Sequence, residues 1–127
     1  MYTEVLEQIC ALCETASGIS PKIGYLPTSG GVACYINSGY ADHVSIQKET
    51  RVEAFTVLFN IKLKKQDQAL SLAETMHDAL VGQLSYQQTA DYTIMNIESS
   101  ALPNYVGREE EYFLYAFAVQ VFANRKE

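Results

Sequence analysis

The chain has 127 residues, of which 48% are hydrophobic and 19% charged, so its length and composition suit one ordinary globular core. Its formal net charge of −6 weighs against a broad nucleic-acid-binding surface, because an acidic molecule repels phosphate groups. We therefore expect one folded domain over residues 1–127, and neither a disordered chain nor a DNA-binding protein.

The N-terminal sequence has an early Glu4 and no basic residues ahead of an apolar stretch, which argues against a secretory signal. No apolar run approaches the roughly 20 residues that span a bilayer. The three cysteines are an odd number, which does not suit a disulfide framework. These features predict a soluble protein without membrane contact, made in a reducing cytoplasm.

In chain order, the first predicted element is an amphipathic helix that starts near Thr3. Apolar residues recur at three- and four-residue intervals, and Gly18 and Pro21 supply a stop signal. Thr3 is the expected N-cap residue. Two extended segments follow at residues 23–26 and 32–37, and the glycine-containing turn between them suggests a hairpin.

Residues 38–51, which we call the arm, are polar and show little periodicity. This pattern predicts either an exposed arm or a long hairpin. Its polarity is typical of a segment that is mobile alone and becomes ordered on a neighbour. Because the arm contributes few core residues, we expect its truncation to weaken assembly and to leave folding intact.

The next segments predict a long strand followed by a second helix. Residues 52–63 alternate in polarity, as a half-buried strand does. Asp67 is the expected N-cap of the helix. Its apolar stripe consists of Ala69, Leu70, Ala73, Met76, His77, Leu80, Val81 and Leu84.

The remaining sequence predicts a strand at residues 92–97, a loop at residues 99–107 and a closing strand at residues 111–122. The order of elements favours an α+β fold, in which an antiparallel or mixed β-sheet of about four to five strands packs two α-helices on one face. The opposite face would carry Leu58, Tyr112, Leu114 and Ala118. It is too apolar for water unless a partner subunit or a curled sheet covers it.

Groups that could carry chemistry do not converge in the sequence. Cys10 and Cys13 form a C-x-x-C inside the first helix, and further zinc ligands are scattered, so buried core cysteines are favoured over metal or redox chemistry. His77 lies on the apolar stripe, which indicates a hydrogen-bonded core or interface histidine. His43 lies in the arm, where a surface role is favoured over catalysis.

Two charged runs are interpreted as solvated strand ends. They are Lys62, Lys64 and Lys65, and residues 109–111, which are three glutamates. Consecutive residues in a strand point to opposite faces, so the glutamates would not converge on one ion. No phosphate-binding, dinucleotide-binding or hydrolase motif occurs. We therefore expect no enzymatic activity, no catalytic or metal-binding residues and no cofactor.

Several segments together resemble the tail-terminator and minor-capsid, or head-tail joining, proteins of tailed phages and prophages. The likeness rests on the arm before the long strand, on the strand-to-helix junction at Gln66, Asp67 and Gln68, and on the sequence LPNYVG at residues 102–107. It covers nearly the whole chain.

This resemblance implies a structural protein of the virion, made in the cytoplasm of a bacterial host. Such proteins form a ring, usually a hexamer, that terminates the tail tube and connects it to the head. The implied partners are other copies of the chain, the tail-tube protein and the head-connector proteins. DNA would pass through the ring without specific binding, and an acidic lumen is suited to that passage.

Two alternatives remain open at the level of sequence. One is another neck or minor-capsid component, and the other, of a different class, is a small-molecule-binding or enzymatic α+β domain. For the assembly hypothesis, the expected contacts lie in the arm and before the last strand: Tyr40, His43, Lys48, Glu49, Arg51, Tyr105 and Arg108.

Overall fold

The computed structural model describes residues 2–24, 26, 30–42, 50–81 and 92–126. Within these residues the chain forms two helices and five strands. They are, in order, α1 (Tyr2–Ser17), β1 (Lys22–Ile23), β2 (Gly31–Asp42), β3 (Thr50–Leu63), α2 (Gln66–Leu80), β4 (Tyr92–Glu109) and β5 (Tyr112–Lys126).

The five strands form one mixed sheet in the order β1-β2-β3-β5-β4. Strands β2, β3, β5 and β4 pair antiparallel, whereas β1 pairs in parallel with β2. The predicted α+β fold is therefore confirmed. The predicted hairpin between the first two extended segments is wrong, because Lys22 and Ile23 lie in parallel register with Ala33 and Cys34. Gly24 and Gly30 both adopt positive φ values, of 89° and 95°, which glycine takes without the steric cost of a Cβ.

Both helices contribute to a core on one face of the sheet. The helices supply apolar residues at three- and four-residue intervals, and β3 and β5 supply every second side chain, as their sequence periods require. The largest buried side chains of this core are Ile9, Phe59, Ile61, Met76, Leu80, Ile97 and Phe117. The rings of Phe59 and Phe117 stack at its centre with centroids 4.6 Å apart.

The opposite face of the sheet carries small buried side chains and larger half-buried ones. Its alanines Ala33, Ala54, Ala116 and Ala118 are buried but lie outside the core that the helices cover. Leu58 and Leu114 are only half-buried. Because small residues occupy the centre, this face exposes less apolar area than the sequence pattern indicates.

Both helices begin where the sequence did not predict. Thr3 lies inside α1, which begins at Tyr2. Lys65 takes the N-cap position of α2 in an extended conformation without a side-chain cap, and Asp67 lies within the first turn. A carboxylate in that turn still interacts favourably with the helix dipole. Within the predicted stripe, Leu70 is exposed, and the neighbouring Leu72 is buried instead.

Much of the arm belongs to the sheet. Ser38 pairs with Thr56 and Asp42 with Val52, which extends the β2–β3 hairpin. The long-hairpin alternative is therefore confirmed for the paired residues. Residues 43–49 lie outside the described residues, as does Leu84 of the predicted stripe.

Strand β4 continues through the segment that was predicted to be a loop. Its pairing with β5 shifts register repeatedly, between Ser99 and Ala101, between Ala101 and Asn104, and again after Tyr105. Such bulges break the two-residue period and conceal the strand in the sequence. The Asn104 amide compensates locally, because it donates to the carbonyl oxygens of Leu102 at 2.7 Å and Ala116 at 3.0 Å.

The turn between β4 and β5 consists of Glu110 and Glu111, since Glu109 pairs with Tyr112. Glu110 has a left-handed φ of 54°. The three glutamates are exposed and directly precede β5, as predicted, and the structure adds that Glu110 and Glu111 form a tight hairpin turn.

Candidate assembly interface

The exposed edge of β4 carries a cluster of large apolar side chains, which we call the β4 edge. Leu102 is 68% exposed, Tyr105 52% and Val106 57%. β4 is the last strand of the sheet, so its outer side has no strand partner among the described residues. Exposed apolar residues on an edge strand favour pairing with another chain.

Two of the sequence-predicted contacts, Tyr105 and Arg108, lie on this edge. The Tyr105 ring meets the Tyr115 ring edge-on at 5.5 Å, and the Tyr115 hydroxyl accepts a hydrogen bond from Gln66 Nε2 at 3.1 Å. The guanidinium of Arg108 lies 4.8 Å from the centre of the Phe113 ring. These contacts hold both side chains against β5 and the start of α2.

The other predicted contacts lie at the far end of the sheet or outside the residues that the structure describes. The structure describes only the backbone of Tyr40 and Arg51, which pair with Ala54 and Arg125. His43, Lys48 and Glu49 lie outside the described residues.

The register gives the separation of the two ends. Tyr40 pairs with Ala54 of β3. Tyr105 pairs with Tyr115, which in turn pairs with Ile61 of β3, seven residues further along that strand. Seven residues along a strand correspond to roughly 23 Å. One subunit therefore does not bring the two groups of predicted contacts together.

A second apolar edge lies at the opposite side of the sheet, around β1. Ile19 and Ile23 are both more than one-third exposed, at 39% and 38%. Since β1 and β4 are the first and last strands of the sheet, these two edges face away from each other. Neither Ile19 nor Ile23 is among the contacts predicted from the sequence, and only the strand order gives them this position.

Lys62 does not lie in a solvated strand end, contrary to the sequence prediction. Its side chain is only 8% exposed, and Nζ lies 3.2 Å from Glu109 Oε1. The Tyr112 ring lies 4.9 Å from the same nitrogen. The neighbouring Lys64 agrees with the prediction, because its pair with Glu111 at 3.6 Å is exposed on both sides.

The buried His77 is hydrogen-bonded through both ring nitrogens, which confirms the prediction for this residue. Nδ1 lies 3.0 Å from Asp78 Oδ1, and Nε2 lies 2.8 Å from Ser99 Oγ. An ionised carboxylate only accepts, so Nδ1 carries the proton, and in the neutral ring Nε2 accepts from the Ser99 hydroxyl. The ring also meets Phe117 edge-on at 5.7 Å.

The order of these groups, serine to histidine to aspartate, is the order of a hydrolase triad, and sequence reasoning missed it. In such triads a buried carboxylate orients the imidazole and stabilises its charged form. Here the Asp78 side chain is 78% exposed, so water screens its charge. The arrangement is therefore best explained as structural, because it gives both nitrogens of a buried imidazole a hydrogen-bonding partner where α2 packs on β4.

Three buried cysteines lie between α1 and β2. Cys10, Cys13 and Cys34 all carry free thiols, which confirms the prediction of core cysteines for the C-x-x-C pair. Cys10 Sγ lies 3.4 Å from Cys34 Sγ. Burial raises the pKa of the Cys13 thiol to about 12. A hydrogen bond from the Cys34 thiol lowers the pKa of Cys10 and raises that of Cys34.

Across the described ranges, His, Cys, Asp and Glu side chains form no group of three that could hold a metal ion. Neither helix, as far as the chain is described, combines the length and apolar character needed to cross a membrane.

No protein-family model and no curated protein matches the sequence. Among solved structures, a chain in the virion of a native gene transfer agent (GTA) particle is similar, with a TM-score of 0.52 and 15% sequence identity. The match covers 94% of this chain and 84% of that chain. At this identity the likeness shows a shared fold.

Proposed function

We propose that the protein is a structural subunit of a phage-like virion, which forms a ring that terminates the tail tube and connects it to the head. The observation that carries this proposal is the fold shared with a GTA virion chain over 94% of the present chain. The sequence resemblance to tail-terminator and head-tail joining proteins supports it independently, because it rests on particular segments such as residues 102–107.

The two apolar edges support a ring. A closed ring of identical subunits uses two different surfaces of each subunit, one for each neighbour. The β4 edge and the Ile19/Ile23 edge lie at opposite sides of one sheet, as that arrangement requires. In this proposal, Tyr105 and Arg108 contact the next subunit, while Tyr40 and Arg51 lie at the far end of the sheet and face another virion protein.

The net charge supports the passage of DNA through such a ring. Each subunit carries a formal charge of −6, and the charges of all subunits add up in the ring and oppose phosphate binding. The proposed partners are therefore other copies of the chain, the tail-tube protein and the head-connector proteins, with no specific binding of DNA.

The decisive experiment is electron microscopy of the purified protein with and without tail tubes, combined with native mass measurement. We expect rings that cap the tube ends. Location elsewhere in the neck would favour the alternative of another neck or minor-capsid component. A protein that stays monomeric at high concentration, does not bind tubes and retains a small molecule would contradict the proposal. It would favour the enzymatic or ligand-binding class.

Two edge variants test the head-to-tail arrangement directly. Val106→Glu places a charge on the β4 edge, and Ile23→Glu places one on the opposite edge. Each variant alone should fail to form rings, whereas an equimolar mixture should form heterodimers, because each variant retains one working edge. Thr75→Glu, at an exposed position of α2, is the matched control and should assemble like the unmodified protein.

A further inference from the structure

The thiols of Cys10 and Cys34 face each other across the contact between α1 and β2. Their sulfur atoms lie 3.4 Å apart, which is within hydrogen-bonding distance for two thiols. Cys13, one helical turn further along α1, is also buried. The three sulfurs are therefore not equivalent, because only one pair is in hydrogen-bonding contact.

We propose that Cys10 and Cys34 are a site of reversible oxidation, at which peroxide forms a disulfide that ties α1 to the sheet. The sulfur atoms must approach from 3.4 Å to the bonded distance of about 2.05 Å. Cys34 is held in place by its pairing with Phe59 and by the hydrogen bond from the Gly24 amide to its carbonyl oxygen. The approach therefore falls to the helix and to the Cys10 side chain.

A surface cleft reaches one of the two residues of the pair, Cys10, which is 7% exposed. The cleft measures about 420 Å³ and lies between α1 and the β1 segment. Cys10 lines it, together with Glu7, Pro21 and Lys22. Neither Cys13 nor Cys34 is among its lining residues. A small uncharged oxidant such as hydrogen peroxide therefore reaches Cys10 first.

The acidity of the thiols agrees with this order. The hydrogen bond from Cys34 lowers the pKa of Cys10 against the opposing effects of burial and of Glu7. Burial raises the pKa of Cys13 to about 12, so this thiol stays protonated near neutral pH. Because the thiolate is the nucleophile, Cys10 is the sulfur that peroxide oxidises.

The oxidation has two balanced steps. In the first, the Cys10 thiolate attacks one oxygen of hydrogen peroxide and the O–O bond breaks. Hydroxide leaves and becomes water by taking up a proton, and Cys10 becomes a sulfenic acid. In the second, Cys34 sulfur attacks Cys10 sulfur, the S–O bond breaks, and the hydroxyl leaves as water with the Cys34 proton. Two thiols lose two electrons, and one peroxide is reduced to two waters.

The bond would restrain the unfolded chain, because it closes a loop between positions 24 residues apart. A disulfide that closes a loop of this length should raise the Tm of a domain of this size by roughly 10–15 °C. The proposal does not depend on the virion role, since it rests only on the thiol pair and its cleft.

The test treats the full chain with a small molar excess of hydrogen peroxide and follows the intact mass and the disulfide-linked peptides. We expect the loss of two hydrogens, a Cys10–Cys34 peptide pair, a higher Tm and full reversal by a reducing agent. Cys13→Ala is the matched control, since it removes a buried thiol of the same helix and should retain the bond. Cys34→Ala should abolish it.

Several results would overturn the proposal. One is a Cys10–Cys13 bond, and another is oxygen addition to Cys10 without loss of two hydrogens. A third is that peroxide oxidises none of the three thiols in the folded protein. If Cys34→Ala does not fold, peptide mapping of the Cys13→Ala protein still decides, because in that protein only one intramolecular pair is left.

Discussion

The ammonium group of Lys62 lies 3.2 Å from Glu109 Oε1, although Glu109 is 47 residues further along the chain. The Lys62 side chain is 8% exposed and the Glu109 side chain 61%, so the pair spans the boundary between interior and solvent. The pairing of β4 with β5, and of β5 with β3, brings the two residues together. A basic residue in the middle of a sheet is tolerated here because a carboxylate and the Tyr112 ring surround its charge.

Removal of the Glu109 charge should therefore destabilise the protein modestly. We expect Glu109→Gln to lower the free energy of unfolding by about 0.5–1 kcal/mol, since the partner charge is buried but the carboxylate itself is screened by water. Glu111→Gln is the control, because its pair with Lys64 is exposed on both sides and should contribute about 0–0.5 kcal/mol. Urea unfolding at low and high salt measures both, and equal losses would contradict the special role of Lys62.

The His77 cluster predicts a structural effect and no catalytic effect. Ser99→Ala should cost about 1 kcal/mol of stability, because it removes the hydroxyl that pairs with a buried ring nitrogen. Asp78→Ala should cost less, because its side chain is exposed. Hydrolysis of an activated nitrophenyl ester should be the same for Ser99→Ala and the unmodified protein. A serine-dependent rate would make the cluster a hydrolase site and contradict the assembly hypothesis.

The hairpin turn at Glu110 offers a stabilising substitution. Glu110 has a φ of 54°, a left-handed conformation that costs a residue with a Cβ about 1 kcal/mol or more. We expect Glu110→Gly to raise the free energy of unfolding by about 0.5–1 kcal/mol, as measured by thermal unfolding. Glu111→Gly, at the neighbouring turn position without a positive φ, is the control and should not stabilise the protein.

The pairing of β2 with β3 changes the expected result of removing the arm. Replacing residues 38–51 by a flexible Gly/Ser segment of equal length would break the pairs that lie beside the buried Ala54 and Phe55. We expect a loss of about 2–4 kcal/mol, in contrast to the intact folding that the sequence suggested. Replacement of residues 43–49 alone is the comparison, and it should cost much less. Equal stability of the two variants would show that Ser38–Thr56 pairing contributes little.

Residues inside regular elements were predictable because periodicity is a local property. The spacing of Val5 and Ile9 gave α1, and the alternation of Phe55, Phe59 and Ile61 gave β3 and its buried face. The burial of Cys13 and of His77 followed from their positions on apolar stripes. The helix starts were less predictable, because Lys65 occupies an N-cap position without using its side chain.

The candidate interface was predictable only in part. Tyr105 and Arg108 were predicted as contacts before the last strand, and both lie in β4. Their role as assembly contacts stays a prediction, as it does for Tyr40 and Arg51. Ile23 was missed, because its exposure matters only when β1 is known to be the opposite edge strand.

By itself, the sequence determined the α+β class, the helical stripes, the alternating strands and the burial of particular cysteines, since each depends on residues close together in the chain. Only the tertiary structure decided the parallel pairing of β1, the bulged course of β4, the burial of Lys62 against Glu109 and the approach of Cys10 to Cys34. These features depend on register and on partners far apart in sequence, whose meeting requires the whole sheet to form.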